Sequence, residues 1–223
     1  DVQRKAQAEI DRVVGPDRLP TMEDLGDLQY IRGCMKESLR WMPTTILGAV
    51  PHAVTQDDEY MGYFIPKGAG VMNNVWAIHM DPKRHPNPRV FNPDRYKDDR
   101  QSLGDAAANP DSSKRDTFTF GAGRRICPGI HVAERSLFLG MSRILWAFNI
   151  EPALDVEGKP IIPDADRLTQ GFVCMPEEFP ARITPRSQER ANMVTKEWKE
   201  AQEKNLHPLT NQWVQTPVEV PNL

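Results

Sequence analysis

The chain has 223 residues and a formal net charge of −3, which excludes the strongly basic surface of a typical nucleic-acid-binding protein. Its hydrophobic share of 39% and charged share of 26% are those of a globular protein that can bury a core. No apolar run approaches the ~18–20 residues that a membrane-spanning helix needs.

The first predicted element is a helix over residues 2–14 that ends at Gly15, with one apolar face formed by Val2, Ala6, Ile10 and Val13. Thr21 with Asp24 predicts a short helical turn. Asp27 is then expected to cap a stronger helix, LQYIRGCMKESLRWMP.

Further along, the pattern alternates between short β-like pieces and helices. A long helix is predicted over roughly 129–148, and it carries an apolar stripe of Ile130, Ala133, Leu137, Met141, Ile144 and Phe148. The other predicted elements are β-like pieces within 45–73, a short helix at 74–80, loops over 81–117, strands and turns over 150–185, and a polar, partly helical tail over 186–223. The fold class is α+β and mainly helical.

The most informative stretch is FGAGRRICPG, residues 120–129, which surrounds Cys127. Gly121 and Gly123 allow positive φ and a close approach to a flat partner. The thiol lies just ahead of the long helix, where the helix dipole stabilises a thiolate. Arg125 adds positive charge and can bind a carboxylate. These features describe a cysteine anion beneath a large, planar, carboxylate-bearing ligand, and a ferric haem fits that description.

The alternative for a lone cysteine at a helix start is a buried structural thiol. For Cys127 this interpretation requires the glycines, the arginine and the helix to coincide by chance. A disulfide framework or a zinc ribbon is disfavoured, since the three cysteines Cys34, Cys127 and Cys174 cannot all pair and the chain has no CxxC.

The same stretch resembles the haem-binding signature of the cytochrome P450 family, through Phe120, Gly121, Gly123, Arg125, Cys127 and Gly129. The resemblance implies the C-terminal part of the P450 fold, with small β-sheets and a long helix after the cysteine loop, and is closest to fungal microsomal members. It implies haem (iron protoporphyrin IX) as cofactor, with Cys127 as the axial thiolate and metal ligand. Residues 1–185 would form the haem-binding portion, and residues 186–223 a polar tail.

A second pattern lies in KESLR, which places Glu37 and Arg40 one helical turn apart. The same spacing at Glu9 and Arg12 predicts an exposed surface pair. Glu37 has apolar neighbours, so its carboxylate is expected to be buried and to need a fixed cation. The P450 resemblance implies that this pair is the family's Glu-x-x-Arg motif, and that FNPDRY supplies Arg95 as the third member of a structural triad.

The resemblance also implies a substrate pocket and a second basic residue near the haem. His52 lies where the family often carries a propionate-binding residue, and a simple surface histidine is the alternative. His79 is expected to be structural. The segments 44–50 and 168–173 correspond to pocket walls, with ordinary core packing as the alternative, and supply Ile46, Leu47, Ala49, Phe172 and Val173.

The implied activity is that of a haem-thiolate monooxygenase, which inserts one oxygen atom from O2 into an apolar small organic substrate. Electrons would come from an NADPH-dependent reductase. Residues 112–148 contain six basic residues and only two acidic ones, and this local positive charge would suit docking of an acidic electron-donor protein. The alternative is that these residues form an ordinary solvated helix face. The full-length protein is expected at the endoplasmic reticulum membrane, on the cytosolic face.

Only the C-terminal half of a P450 is matched by this resemblance, so the N-terminal half of the domain is expected to be missing here. No proton-relay residue is assignable, and the chain alone is expected not to be a competent monooxygenase. Two alternatives remain open: a non-catalytic haem-binding or remnant protein from a truncated gene, and an interaction domain in which Cys127 binds nothing.

Overall fold

A computed structural model of the chain describes residues 1–48 and 50–214. In this part of the chain helices dominate and strands are short, which confirms the predicted class. The helices are α1 (Val2–Val13), α2 (Gln29–Trp41), α3 (Val75–His79), α4 (Leu103–Ala108), α5 (Ile130–Ala147) and α6 (Gln188–Asn205). The strands are β1 (His52–Ala53), β2 (Asp58–Tyr60), β3 (Tyr63–Ile65), β4 (Gly70–Val71), β5 (Phe148–Pro152) and β6 (Ala181–Pro185). They pair antiparallel as β1 with β4, β2 with β3 and β5 with β6.

The hydrophobic core lies where α1, α2 and α5 pack together. α1 contributes Ala6 and Ile10, on the face that its apolar spacing predicts. Trp146, near the end of α5, is fully buried and donates its indole N–H to the Gly15 carbonyl at 2.9 Å. Because this bond satisfies the one polar atom of the ring, the whole side chain can be buried. Other fully buried core side chains are Leu28, Ile31, Met35, Leu103 and Phe138.

The start of α2 differs from the prediction. Asp27 ends the preceding helical turn, Met22–Gly26, and does not cap α2, which begins at Gln29. The residue in the capping position is Leu28, whose side chain cannot accept a hydrogen bond. The first N–H groups of α2 therefore need an acceptor from elsewhere in the protein.

Glu9 of α1 supplies that acceptor. Its carboxylate accepts hydrogen bonds from the backbone N–H groups of Tyr30 at 2.9 Å and Ile31 at 3.1 Å. The predicted surface pair of Glu9 with Arg12 is therefore wrong. An acidic group at a helix N-terminus satisfies unpaired donors and interacts favourably with the helix dipole, so this contact joins the two helices.

The long helix after Cys127 is present, but its buried row shares only Ile130 with the predicted apolar stripe. Leu137, Met141 and Phe148 of that stripe are partly buried against the core. Ile144, a member of that stripe, is 48% exposed. The buried row is instead Ile130, Glu134, Phe138, Ser142 and Trp146. Its two polar members are satisfied, because Glu134 accepts from the Leu103 N–H at 2.9 Å and Ser142 donates to the Phe138 carbonyl at 2.7 Å.

Helix α4 was missed within the predicted loop at 81–117. Ser102 accepts a hydrogen bond from the Asp105 N–H at 3.0 Å, and its hydroxyl donates to the Asp105 carboxylate at 2.8 Å. A serine followed three residues later by an acidic residue is a helix-start signature, so the signal was present in the sequence. Through Leu103, α4 packs into the core beside α5.

The C-terminal helix α6 packs on the core through Met193 and Val194, and one carboxylate of α1 reinforces this attachment. Asp11 of α1 pairs with Arg186 at 2.5 Å and with Arg190 at 2.7 Å. The Arg190 guanidinium also donates to the Trp146 carbonyl at 2.5 Å and stacks on the Trp146 ring. Burial raises the pKa of Asp11, but hydrogen bonds from the two arginines outweigh it, so the pKa lies below its ordinary value of 3.8.

We predict that this attachment is sensitive to acid. A carboxylate whose pKa is lowered by folding stabilises the protein fully well above 3.8, and this contribution is lost as the pH falls through the folded pKa. The free energy of unfolding, from urea titrations between neutral pH and about pH 2, should fall more steeply in wild type than in Asp11→Asn. Parallel curves for the two proteins would show that Asp11 carries no such contribution.

Candidate functional site

The loop that carries Cys127 makes a tight turn ahead of α5. Gly121 and Gly123 have φ values of +78° and +65°, in the left-handed region that favours glycine. The Cys127 N–H donates to the Phe120 carbonyl at 2.9 Å and closes the loop. Gly129 directly precedes the helix, and a Cβ there would lie 3.7 Å from the Cys127 Sγ. The loop thus presents the thiol at a fixed place beside the helix N-terminus.

A pocket of about 490 Å³ opens over this loop. It is lined by four residues of the predicted haem-binding set that are close in sequence, Phe120, Gly121, Arg125 and Cys127, and by His52 from the distant strand β1. Gly123 and Gly129 shape the loop without lining the pocket. The other lining residues are Thr44, Thr45, Gly48, Val50, Pro51, Thr119 and Ala122.

The wall of this pocket carries positive charge. Its lining includes Arg125 and His52 but no acidic residue. Both basic side chains are exposed, and within residues 1–48 and 50–214 neither forms an ion pair or a side-chain hydrogen bond. Cys127 is half-buried, whereas Cys34 and Cys174 are each only 5% exposed. An accessible sulfur flanked by two unpaired basic groups fits a flat ligand with carboxylates and a thiolate-binding metal, such as haem.

Glu37 and Arg40 form a buried ion pair behind the loop. Arg40 Nε and Nη2 each lie 2.7 Å from one oxygen of the Glu37 carboxylate, and neither side chain has exposed surface. This is the bidentate arrangement that makes such pairs strong. Glu37 also accepts from the Asn92 N–H at 2.8 Å and from Arg95 Nε at 3.2 Å. The three predicted triad residues therefore meet at one carboxylate.

Arg95 reaches this carboxylate because the turn Pro93–Tyr96 packs directly against α2. Gly33 permits the close approach, since a Cβ at that position would lie 2.7 Å from the Pro93 carbonyl oxygen. Arg95 also donates to the Asn87 carbonyl at 2.9 Å, which fixes the guanidinium on its outer side. The cluster thus joins α2 to the loop that precedes α4.

Comparison with known proteins places this chain in one family. The family model described as "Cytochrome P450" matches residues 1–181. The chain belongs to the cytochrome P450 family. The predicted resemblance is confirmed, and the mainly helical arrangement with small antiparallel sheets is the C-terminal part of the P450 fold.

Two fungal P450s illustrate the match. Cytochrome P450 monooxygenase virE of Hypocrea virens is 58% identical over 199 residues, which are 89% of this chain and 36% of the relative. Cytochrome P450 monooxygenase fsoB of Humicola fuscoatra is 54% identical over 221 residues, 98% of this chain and 40% of the relative. The chain therefore spans less than half the length of these relatives.

A solved P450 structure shows the same fold. A zebra fish cytochrome P450 with abiraterone superposes with a TM-score of 0.69 at 33% identity, over 84% of this chain and 40% of that chain. Among the helices described for this chain, none combines the length and the apolar character that crossing a membrane requires.

Lys36 is a further residue near the P450 cysteine loop, and the sequence analysis missed it. Its side chain is 2% exposed and pairs with Asp99 at 2.5 Å and with Asp116, four residues before the loop, at 2.9 Å. Burial raises the pKa of Asp116 more than Lys36 lowers it. The available signal was a lysine beside Glu37 on a helix that is apolar on most sides.

The two predicted pocket segments are adjacent in this P450. The N–H of Cys174, the residue directly after the second segment, donates to the carbonyl of Thr44 in the first segment at 2.8 Å. Leu47, Phe172 and Val173 are 49%, 61% and 48% exposed, and Ile46 is half-buried. Ala49 lies outside the described residues. The pocket over Cys127 receives Thr44, Thr45, Gly48 and Val50 from the first segment.

Proposed function

We propose that this chain is the haem-binding portion of a haem-thiolate monooxygenase, with Cys127 as the axial ligand. The observation that carries the proposal is the pocket of about 490 Å³ that gathers Cys127, Arg125 and His52. An accessible thiol at a helix N-terminus and two unpaired basic side chains match the donor set that a haem with two propionates requires.

Each residue of the loop has a distinct role in this proposal. Cys127 would hold the iron, while Gly121 and Gly123, which have positive φ and no side chains, would allow a macrocycle to approach the backbone closely. Arg125 and His52 bind propionates. Phe120 and Gly129 fix the position of the sulfur through the loop-closing carbonyl and the helix start. When bound, the haem supplies activation of O2, which protein side chains do not provide.

The substrate is proposed to be an apolar small organic molecule. Leu47, Phe172 and Val173 are exposed apolar side chains on two adjacent segments. Together with Ile46 and Ala49 they would form part of the substrate cavity, in which apolar walls favour an apolar ligand. The electrons are proposed to come from an NADPH-dependent reductase. Arg124, in the cysteine loop, and Arg135, on the first turns of α5, are exposed and offer that partner a basic face.

We further propose that the complete enzyme needs the N-terminal half of the same P450 domain. Val132, Ile144 and Phe172 are large apolar side chains that are 68%, 48% and 61% exposed. Exposed apolar side chains of this kind are what a further part of the same domain would cover. The haem-binding portion would comprise residues 1–185, with 186–223 as a C-terminal addition. The complete protein is proposed to lie on the cytosolic face of the endoplasmic reticulum membrane.

Haem reconstitution tests this function. The chain is mixed with haemin, passed over a desalting column, reduced and exposed to carbon monoxide. A red-shifted Soret band, which a thiolate ligand produces, is expected. Protein that stays colourless would favour an interaction domain instead. Haem binding with no turnover after addition of reductase and NADPH is expected for the chain alone, and turnover would contradict the need for an N-terminal half.

A further inference from the structure

His79, the last residue of α3, is a buried histidine with bonds on two sides. Its side chain has no exposed surface. Its ring Nε2 accepts a hydrogen bond from the Phe118 N–H at 3.0 Å. Its backbone carbonyl accepts another from Arg40 Nη1 at 3.1 Å. One residue therefore touches both the Glu37–Arg40 pair and the segment that enters the cysteine loop.

Backbone hydrogen bonds within the loop link Phe118 to Gly121 and Phe120 to the backbone of Cys127. The Phe118 carbonyl accepts from the Gly121 N–H at 3.0 Å, and the Phe120 carbonyl accepts from the Cys127 N–H at 2.9 Å. Among residues 1–48 and 50–214, the Phe118 N–H has one hydrogen-bond acceptor, which is His79 Nε2. The placement of the loop thus depends on a ring acceptor that α3 supplies.

The hydrogen bond specifies the state of the ring. An Nε2 that accepts must carry no proton, so a neutral His79 carries its proton on Nδ1. Burial, followed by the charges of His85 and Arg40, lowers the pKa of His79 to about 3, and the ring is neutral at physiological pH. The charged Arg84 also faces it. Neutrality preserves the acceptor.

Among the described residues, the side-chain hydrogen bond that the His79 ring makes is the one from the Phe118 N–H. The ring also lies against His85 and Phe118, with ring centroids 6.5 Å and 6.3 Å away. An apolar ring of similar size would fill the same space but would leave the Phe118 N–H without this acceptor.

We propose that His79 is a positioning residue for Cys127, coupling the Glu37–Arg40 pair to the cysteine loop through its backbone carbonyl and its Nε2 acceptor. The inference rests on the proposed function only in assigning Cys127 as a haem ligand. The effect on the loop itself concerns this chain with or without haem.

Three substitutions separate the acceptor from the bulk of the ring. His79→Gln places an amide oxygen at the distance of Nε2 from the backbone. His79→Asn reaches only the position of Nδ1, and His79→Phe fills the space without any acceptor. We expect hydrogen exchange at the Phe118 amide to rise about five- to tenfold in the Asn and Phe variants and to stay near wild type in the Gln variant. Circular dichroism and thermal unfolding check that each variant is folded.

A second readout reports on the sulfur. In haem-loaded protein, the Asn and Phe variants should shift part of the reduced carbonyl complex towards the Soret position of a Cys127→Ser protein, and the Gln variant should not. Wild-type spectra in the Asn and Phe variants would overturn the inference. A shift of equal size in the Asn, Phe and Gln variants would also overturn it. If the Phe variant does not fold, the comparison of the Gln and Asn variants decides the question.

Failure of the proposed function would look different. If wild type binds no haem, the proposed function fails, and the rate of Cys127 alkylation in the haem-free chain tests His79 instead. Cys34 and Cys174 are buried, and a Cys127→Ser protein gives the background rate. Faster alkylation in the Asn and Phe variants than in the Gln variant would support the positioning role, and equal rates in all would overturn it.

Discussion

Replacing Glu37 by glutamine is expected to lower the free energy of unfolding by about 3–5 kcal/mol, the usual cost of removing one member of a buried ion pair. Glutamine keeps the volume of the side chain but removes its charge. Arg40 would then remain fully buried without a counterion, and Arg95 would lose its partner on the inner side. Urea unfolding followed by circular dichroism measures the change.

An exposed ion pair provides the matched control. Glu151 pairs with Arg182 at 2.7 Å, with both side chains about half exposed. Glu151→Gln is expected to cost less than about 1 kcal/mol, because solvent screens such pairs. If the free energy of unfolding fell equally in Glu37→Gln and Glu151→Gln, the buried charge cluster around Glu37 would not stabilise the fold more than an exposed ion pair does.

Replacing Cys127 by serine is expected to abolish the red-shifted Soret band and to weaken haem binding by more than about 100-fold, beyond the loss seen when only a supporting residue of a metal ligand is removed. A serine hydroxyl does not ionise near neutral pH, so it cannot replace a thiolate as an anionic ligand. Titration of both proteins with haemin, followed by reduction under carbon monoxide, gives the affinity and the band position.

The other cysteines are the controls for this variant. Burial raises the pKa of Cys34 to about 12, so it stays a neutral thiol in the core. Cys174 is buried, and its Sγ faces the Gly171 carbonyl. Cys34→Ser and Cys174→Ser should keep the wild-type band. If Cys127→Ser kept it while Cys174→Ser lost it, the ligand would have been assigned to the wrong sulfur.

The sequence predicted those parts of the site whose function requires particular residues close together in the chain. The glycines at 121 and 123 adopt positive φ, and the thiol lies directly before a helix. The Glu37–Arg40 spacing produces a buried pair because both residues face one side of a single helix. In such local patterns, the spacing of the residues along the chain is enough to predict which of them lie close together.

Contacts between distant segments were not predictable in this way. Glu9 caps α2 from another helix, and Lys36 pairs with Asp99 and Asp116, which are more than 60 residues away. The buried row of α5 was missed because it includes Glu134, which is satisfied by a partner 31 residues away. Apolar periodicity assigns polar residues to the surface, and only the tertiary structure shows which of them have buried partners.

The proposed function requires a bond between the Cys127 sulfur and the haem iron. X-ray absorption fine structure at the iron edge of the haem-loaded chain detects sulfur neighbours of the metal directly. We predict a sulfur ligand in wild type that is absent in Cys127→Ser. An iron coordinated only by nitrogen and oxygen in wild type, or a sulfur ligand that persists in the serine variant, would contradict the account.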